Sequence, residues 1–96
     1  MSVTVKLPPV LRQDAGGARS VDLDAPGDLR GALSALVDRF PALRQKLLDG
    51  SGDLNRFVNA YVDGEDVRLR DGLDTRLDDA STVILLPAMA GGRSHA

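Results

Sequence analysis

Only one stretch of this sequence keeps apolar residues at helical spacing for three turns. Leu29, Leu33, Leu36, Val37 and Phe40 stand at i, i+4, i+7, i+8 and i+11, which gathers them into one stripe along an α-helix. Asp28 follows the breaker Pro26-Gly27 and is placed to cap the first turn, and Pro41 ends the helix at Phe40. Ala42 to Leu48 adds a second helical turn or two, with Leu43 and Leu47 spaced to pack beside the first helix. The flanking apolar runs are short and alternate, so one main helix has to cover a whole sheet. That requirement predicts an α+β roll.

The strands are legible from period-two alternation and from breakers. Val3-Thr4-Val5-Lys6-Leu7 is a strand that stops at Pro8-Pro9, and Val21 to Asp24 is a second. Between them, Val10 to Ser20 carries Asp14-Ala15-Gly16-Gly17 and is expected to be an exposed loop, making the pair an antiparallel hairpin. Asp49 to Asp53 is a further loop. Phe57 to Val62 is a third strand, and Asp63-Gly64 turns it tightly into a short fourth strand around Glu65 to Leu69. Asp71 to Thr75 is a turn. Thr82-Val83-Ile84-Leu85-Leu86 is the most strand-like run in the chain, and Pro87 is expected to end its pairing.

This last strand is apolar on both faces, because Val83 and Leu85 point one way while Ile84 and Leu86 point the other. One helix covers one face. Val58, Val62, Val83 and Leu85 are therefore assigned to the core, which leaves Phe57, Asn59, Tyr61, Ile84 and Leu86 on the open face. An apolar patch there, next to the end of the chain, is the arrangement of a protein gripped by its partner. Ala88 to Ala96 is small, Gly-rich and without periodicity, so residues 1–87 read as the folded domain and 88–96 as a flexible tail.

Composition narrows the function. Ninety-six residues make one domain with little room for a catalytic cleft, and 14 acids against 12 bases leave no basic stripe for nucleic acid. No apolar run reaches the roughly 18 residues that span a membrane, and Met1 to Val10 lacks the pattern of a signal peptide, so a cytoplasmic protein is expected. The chain has no Cys, and its one histidine, His95, lies in the tail. Thiolate nucleophiles, disulfides and a metal centre are not expected. Asp22, Asp24, Glu65-Asp66 and Asp78-Asp79 lack the neighbours that would make them acid/base groups, and Gly50-Ser51-Gly52 lacks the Lys of a phosphate loop. Nothing here reads as an active site, and no bound cofactor is expected.

The order of elements and the ending Val83-Ile84-Leu85-Leu86-Pro87-Ala88-Met89-Ala90-Gly91-Gly92 resemble the ubiquitin-like β-grasp sulfur carriers of the ThiS and MoaD family. Arg56-Phe57-Val58-Asn59, Tyr61-Val62, Glu65-Asp66-Val67-Arg68, Gly72-Leu73-Asp74-Thr75, Val3-Thr4-Val5, Leu11-Arg12 and Gly16-Gly17 extend the likeness over nearly the whole domain. It is nearest to the carrier that serves a cysteine-making route. Gly16-Gly17 is an internal control, since it lies in a loop and needs only a turn to explain it. Gly91-Gly92 differs because a strand delivers it.

The resemblance implies a mixed sheet with the main helix on one face. It also implies that the protein is a co-substrate of other enzymes and not an enzyme. In the family, an ATP-using, ubiquitin-activating-like adenylyltransferase and sulfurtransferase adenylates the terminal Gly, and a sulfur source converts it to a thiocarboxylate. Gly92 would be that residue, with Ala90 and Gly91 as its arm. The thiocarboxylate would then supply a sulfur-accepting synthase, either cysteine synthase-like or from a natural-product route. Arg93-Ser94-His95-Ala96 departs from the family's simplest ending and blocks Gly92, which implies cleavage between Gly92 and Arg93 by a JAMM-type zinc metalloprotease. The small subunit of molybdopterin synthase, a protein modifier and a non-covalent ubiquitin-like binding module are the alternatives.

Overall fold

The computed structural model describes residues 2–24 and 26–88. Five strands, β1 (Ser2–Lys6), β2 (Ser20–Asp24), β3 (Val58–Val62), β4 (Glu65–Asp66) and β5 (Thr82–Pro87), form one sheet in the order β2-β1-β5-β3-β4. The two ends of the chain supply the central pair, and β1 and β5 run parallel while every other pairing is antiparallel. Among the described residues there are also three α-helices, α1 (Pro9–Arg12), α2 (Leu29–Arg39) and α3 (Arg44–Leu47). This is the mixed sheet with one main helix that the resemblance implies.

The helix α2 starts where the sequence places it. Asp28 is extended (φ −148°, ψ 175°), and its Oδ1 accepts a 2.8 Å hydrogen bond from the Gly31 amide, satisfying a donor that the first turn leaves free. The helix then buries Leu29, Ala32, Leu33, Leu36 and Val37 against Val3, Val5, Val21, Leu23, Val58, Ala60, Val62, Val83 and Leu85. Each large aliphatic side chain in that layer contributes about 1.5–3 kcal/mol. Leu43 and Leu47 close the open end, through a 3-10 turn at Pro41–Leu43 and then α3.

Gly31 sits inside α2, where glycine costs about 0.5–1 kcal/mol relative to alanine. Its place is explained by contact: a Cβ there would lie 2.3 Å from the Pro26 carbonyl oxygen. Gly31→Ala should therefore destabilise the fold, by about 1–3 kcal/mol as for overpacked sites. A urea denaturation midpoint at or above that of the wild type would refute the close approach.

Three details differ from the sequence reading. Val10 to Ser20 is not all loop: Pro9–Arg12 makes one α-helical turn and Gln13–Ala15 a 3-10 turn, burying Leu11 and Ala15. Proline at the start of a helix loses no hydrogen bond, so Pro9 begins the helix where Pro-Pro suggested only a stop. The fourth strand is two residues long, because the Asp66 carboxylate accepts from the Arg68 amide at 2.9 Å and turns Val67–Leu69 into a 3-10 helix. Pro87 stays in β5, opposite Val58. The Ala88 amide donates to the Phe57 carbonyl at 2.8 Å, so by alternation the Pro87 nitrogen faces the side of β1, whose pairing with β5 ends at Ile84. No ladder bond is lost there.

The hairpin turn matches its residues. Asp63 (φ 50°) and Gly64 (φ 89°) both take the left-handed conformations that a two-residue turn of this kind requires. The Asp63 carboxylate also accepts from the Thr82 amide at 2.9 Å and the Ser81 hydroxyl at 3.1 Å, fastening the turn to the start of β5.

Candidate partner face and tail exit

The pairing of β5 with its neighbours decides what the open face presents. Tyr61 lies opposite Ile84, and Asn59 opposite Leu86. Because side chains alternate, burying Val58, Ala60, Val62, Val83 and Leu85 forces Asn59, Tyr61, Ile84 and Leu86 to the other side. Asn59, Tyr61 and Ile84 are half-buried there, Leu86 is 42% exposed and Phe57 is 50% exposed. All five residues expected on the open face are thus brought together along β3 and β5.

Phe57 stands where the chain leaves the sheet. The Asn55 side chain accepts from the Phe57 amide at 2.9 Å, and the Phe57 carbonyl accepts from Ala88. The Arg56 guanidinium lies 5.0 Å from the centre of the Phe57 ring. Arg68 reaches back from the turn after β4, donating to the Asn59 side chain at 2.9 Å and to the Asn55 carbonyl at 3.2 Å. The stretch Asn55 to Asn59, which pairs with Ala88, is therefore tied to the turn after β4. Ala90, Gly91, Gly92 and Arg93, named above as arm, activation site and processing site, lie outside the described residues.

Beside the root of the tail is a groove of about 260 Å³ lined by Pro8, Val10, Leu11, Phe57, Leu86 and Pro87, among others. Val10 is 58% exposed, so Val10, Phe57 and Leu86 form an apolar border around the point where Ala88 leaves the sheet. Sequence reasoning missed Val10. Its one signal was an apolar residue directly after Pro8-Pro9, too short a stretch to show a period.

The paired carboxylates act as local structure. Asp79 accepts from the Ser2 amide at 3.0 Å, Asp22 from the Thr4 hydroxyl at 2.8 Å, Asp66 caps its turn and Glu65 pairs with Arg70. The Asp49 carboxyl is held below its usual value of 3.8, first by the Ser51 hydroxyl and then by backbone amides of its loop. A carboxyl kept ionised in this way is unsuited to be a general acid near neutral pH. Among the described residues no group of three or more His, Cys, Asp or Glu could hold a metal ion, and no helix is long and apolar enough to cross a membrane.

A single main helix gripped by a mixed five-stranded sheet, with the last strand in its centre beside the first, defines a ubiquitin-like β-grasp protein. The chain belongs to the ThiS family, whose sequence profile matches residues 5–92. It is 46% identical to the sulfur carrier protein CysO of Mycobacterium tuberculosis, over 96% of this chain and all of that one. Among solved structures it is similar to CysO in the BexX/CysO complex of Amycolatopsis orientalis, with 36% identity, a TM-score of 0.83, and 94% and 99% of the two chains covered. SAMP1 of Haloferax volcanii is 31% identical with a TM-score of 0.79, over 96% of this chain and all of that one.

Proposed function

We propose that this protein is a sulfur carrier whose working end is the carboxylate of Gly92. The observation that carries the reading is that the family match ends at residue 92, on the Gly91-Gly92 pair and before Arg93 to Ala96. Removal of Arg93 to Ala96, by a JAMM-type zinc metalloprotease, frees the Gly92 carboxylate. On an ATP-using activating enzyme that carboxylate attacks the α-phosphate and pyrophosphate leaves. Sulfide then attacks the acyl carbon, the C–O bond to AMP breaks, AMP leaves, and loss of the sulfur's proton gives the thiocarboxylate. Gly91 and Gly92 lack Cβ atoms, so the backbone can pass a narrow channel and take angles closed to other residues. The chain is a co-substrate in this scheme: it supplies the Gly92 carboxylate that reacts, and the catalytic groups of the activating step belong to its partner. The absence of Cys from the whole chain agrees with sulfur carried on the terminal carbonyl carbon.

The acceptor is a sulfur-accepting synthase, cysteine synthase-like or from a natural-product route, and the likeness to CysO in a complex with BexX supports a protein acceptor of that kind. Deleting residues 91–96 separates this reading from a non-covalent binding module. Sulfur transfer should vanish with the deletion while the fold persists; transfer or partner function that survives would refute the carrier. The likeness to SAMP1 favours a second use of the same activated carboxyl, attack by a lysine amine to give an isopeptide. A band of summed mass that resists thiols would report it.

A further inference from the structure

The groove beside the tail root opens on the side of the sheet that carries the helices. Leu11 and Val58 reach it from the core, Gln45 and Lys46 reach it from α3, and Pro8 and Val10 close it from the segment after β1. Pro87 forms its wall on β5, opposite Val58. Val83 and Leu85 are buried on this same side of the sheet, and Pro87 is next in that alternation. The Ala88 amide still bonds to the Phe57 carbonyl, which keeps the chain in register with β3 one residue past the strand. One more extended residue returns to the helix side, and that residue is Met89. In the run Ala88 to Gly92, Met89 is the one large side chain, with alanine on either side of it. An unbranched thioether adapts to an irregular apolar gap, which an alanine would leave empty.

We propose that the groove is the seat of this chain's own Met89, which straps the root of the tail to the body. Parity and length together fix the occupant: Met89 is a single residue beyond Ala88, so its side chain meets the groove without an intervening turn. The seat puts the start of the free arm at Ala90. Ala90, Gly91 and Gly92 then extend roughly 10 Å from it, at about 3.3–3.6 Å for each residue. Heading and reach are thus set before a partner is met, and less freedom is lost on binding. The strap does not depend on what Gly92 carries, so it stands or falls apart from the carrier reading.

The test is NMR of the full chain, alone in solution, with carbon-13 in its methionine methyl groups. The chain has two methionines, Met1 and Met89, and Met89→Leu assigns the second signal by its loss. The Met89 methyl should show nuclear Overhauser contacts to the methyl groups of Val10 and Leu11, and these should persist on dilution. Val10 is exposed and can be altered without disturbing the core, so Val10→Asp should keep the fold and move the Met89 methyl to its position in the urea-unfolded chain. A wild-type methyl already at the unfolded position, with no contact to Leu11, would overturn the strap and leave the groove to a partner's side chain. Contacts that vanish on dilution would also overturn it, by giving the groove to Met89 of a second copy.

Discussion

Cut after Gly92, the chain should support ATP–pyrophosphate exchange on its activating enzyme; carried on through Arg93 to Ala96, it should support none. The difference is one of bonding and not of affinity. In the full chain the Gly92 carbonyl belongs to the amide with Arg93 and offers no carboxylate oxygen to the α-phosphate. Arg93, Ser94, His95 and Ala96 all carry Cβ atoms and would fill a channel that glycine backbone would pass. A second comparison separates the blocked carboxylate from the blocked channel: Gly92→Ala in the cut chain restores the carboxylate but keeps a Cβ, and should exchange far more slowly than Gly92 itself. Equal exchange by the full and cut chains would show that trimming is not needed.

The second large effect is expected from two adjacent residues. Leu85 is fully buried while Leu86 is 42% exposed, although both sit in β5 and both are leucine. Leu85→Ala should cost about 2–5 kcal/mol of stability, as truncation of a buried leucine does. Leu86→Asp should leave the melting temperature close to the wild type and weaken partner binding by about 2 kcal/mol or more, roughly thirtyfold in Kd. Tyr61→Asp, across the strand from Ile84, should behave like Leu86→Asp. Calorimetry for stability and titration with the activating enzyme for binding give the two readouts. A Leu86→Asp protein that melts as early as Leu85→Ala would place Leu86 in the core and remove the partner face.

The parts of this fold that were legible from sequence are those where one local signal decides the outcome. Asp28 before an apolar stripe gives the start of α2, and Asp63-Gly64 gives the turn after β3. The division of β5 into Val83 and Leu85 against Ile84 and Leu86 follows from alternation and from there being one main helix. What escaped depends on pieces that meet only in three dimensions. The groove beside the tail root joins Pro8 and Val10 from the start of the chain to Phe57 and Leu86, and a single turn such as α1 is too short to show a period. Pro87 reads as a stop in the sequence because proline lacks an N–H, but its pairing is with β3, and the pairing of β1 with β5 has already ended at Ile84.

The central claim is that sulfur rides on Gly92, and intact-mass spectrometry tests it most directly. Chain ending at Gly92 should be incubated with its activating enzyme, ATP and sulfide, then weighed whole and after digestion. The account predicts a mass rise equal to the exchange of one oxygen for one sulfur, confined to the C-terminal peptide and lost when Gly91-Gly92 is deleted. A chain that binds its partner and keeps its mass, or that gains sulfur anywhere but at Gly92, would contradict it.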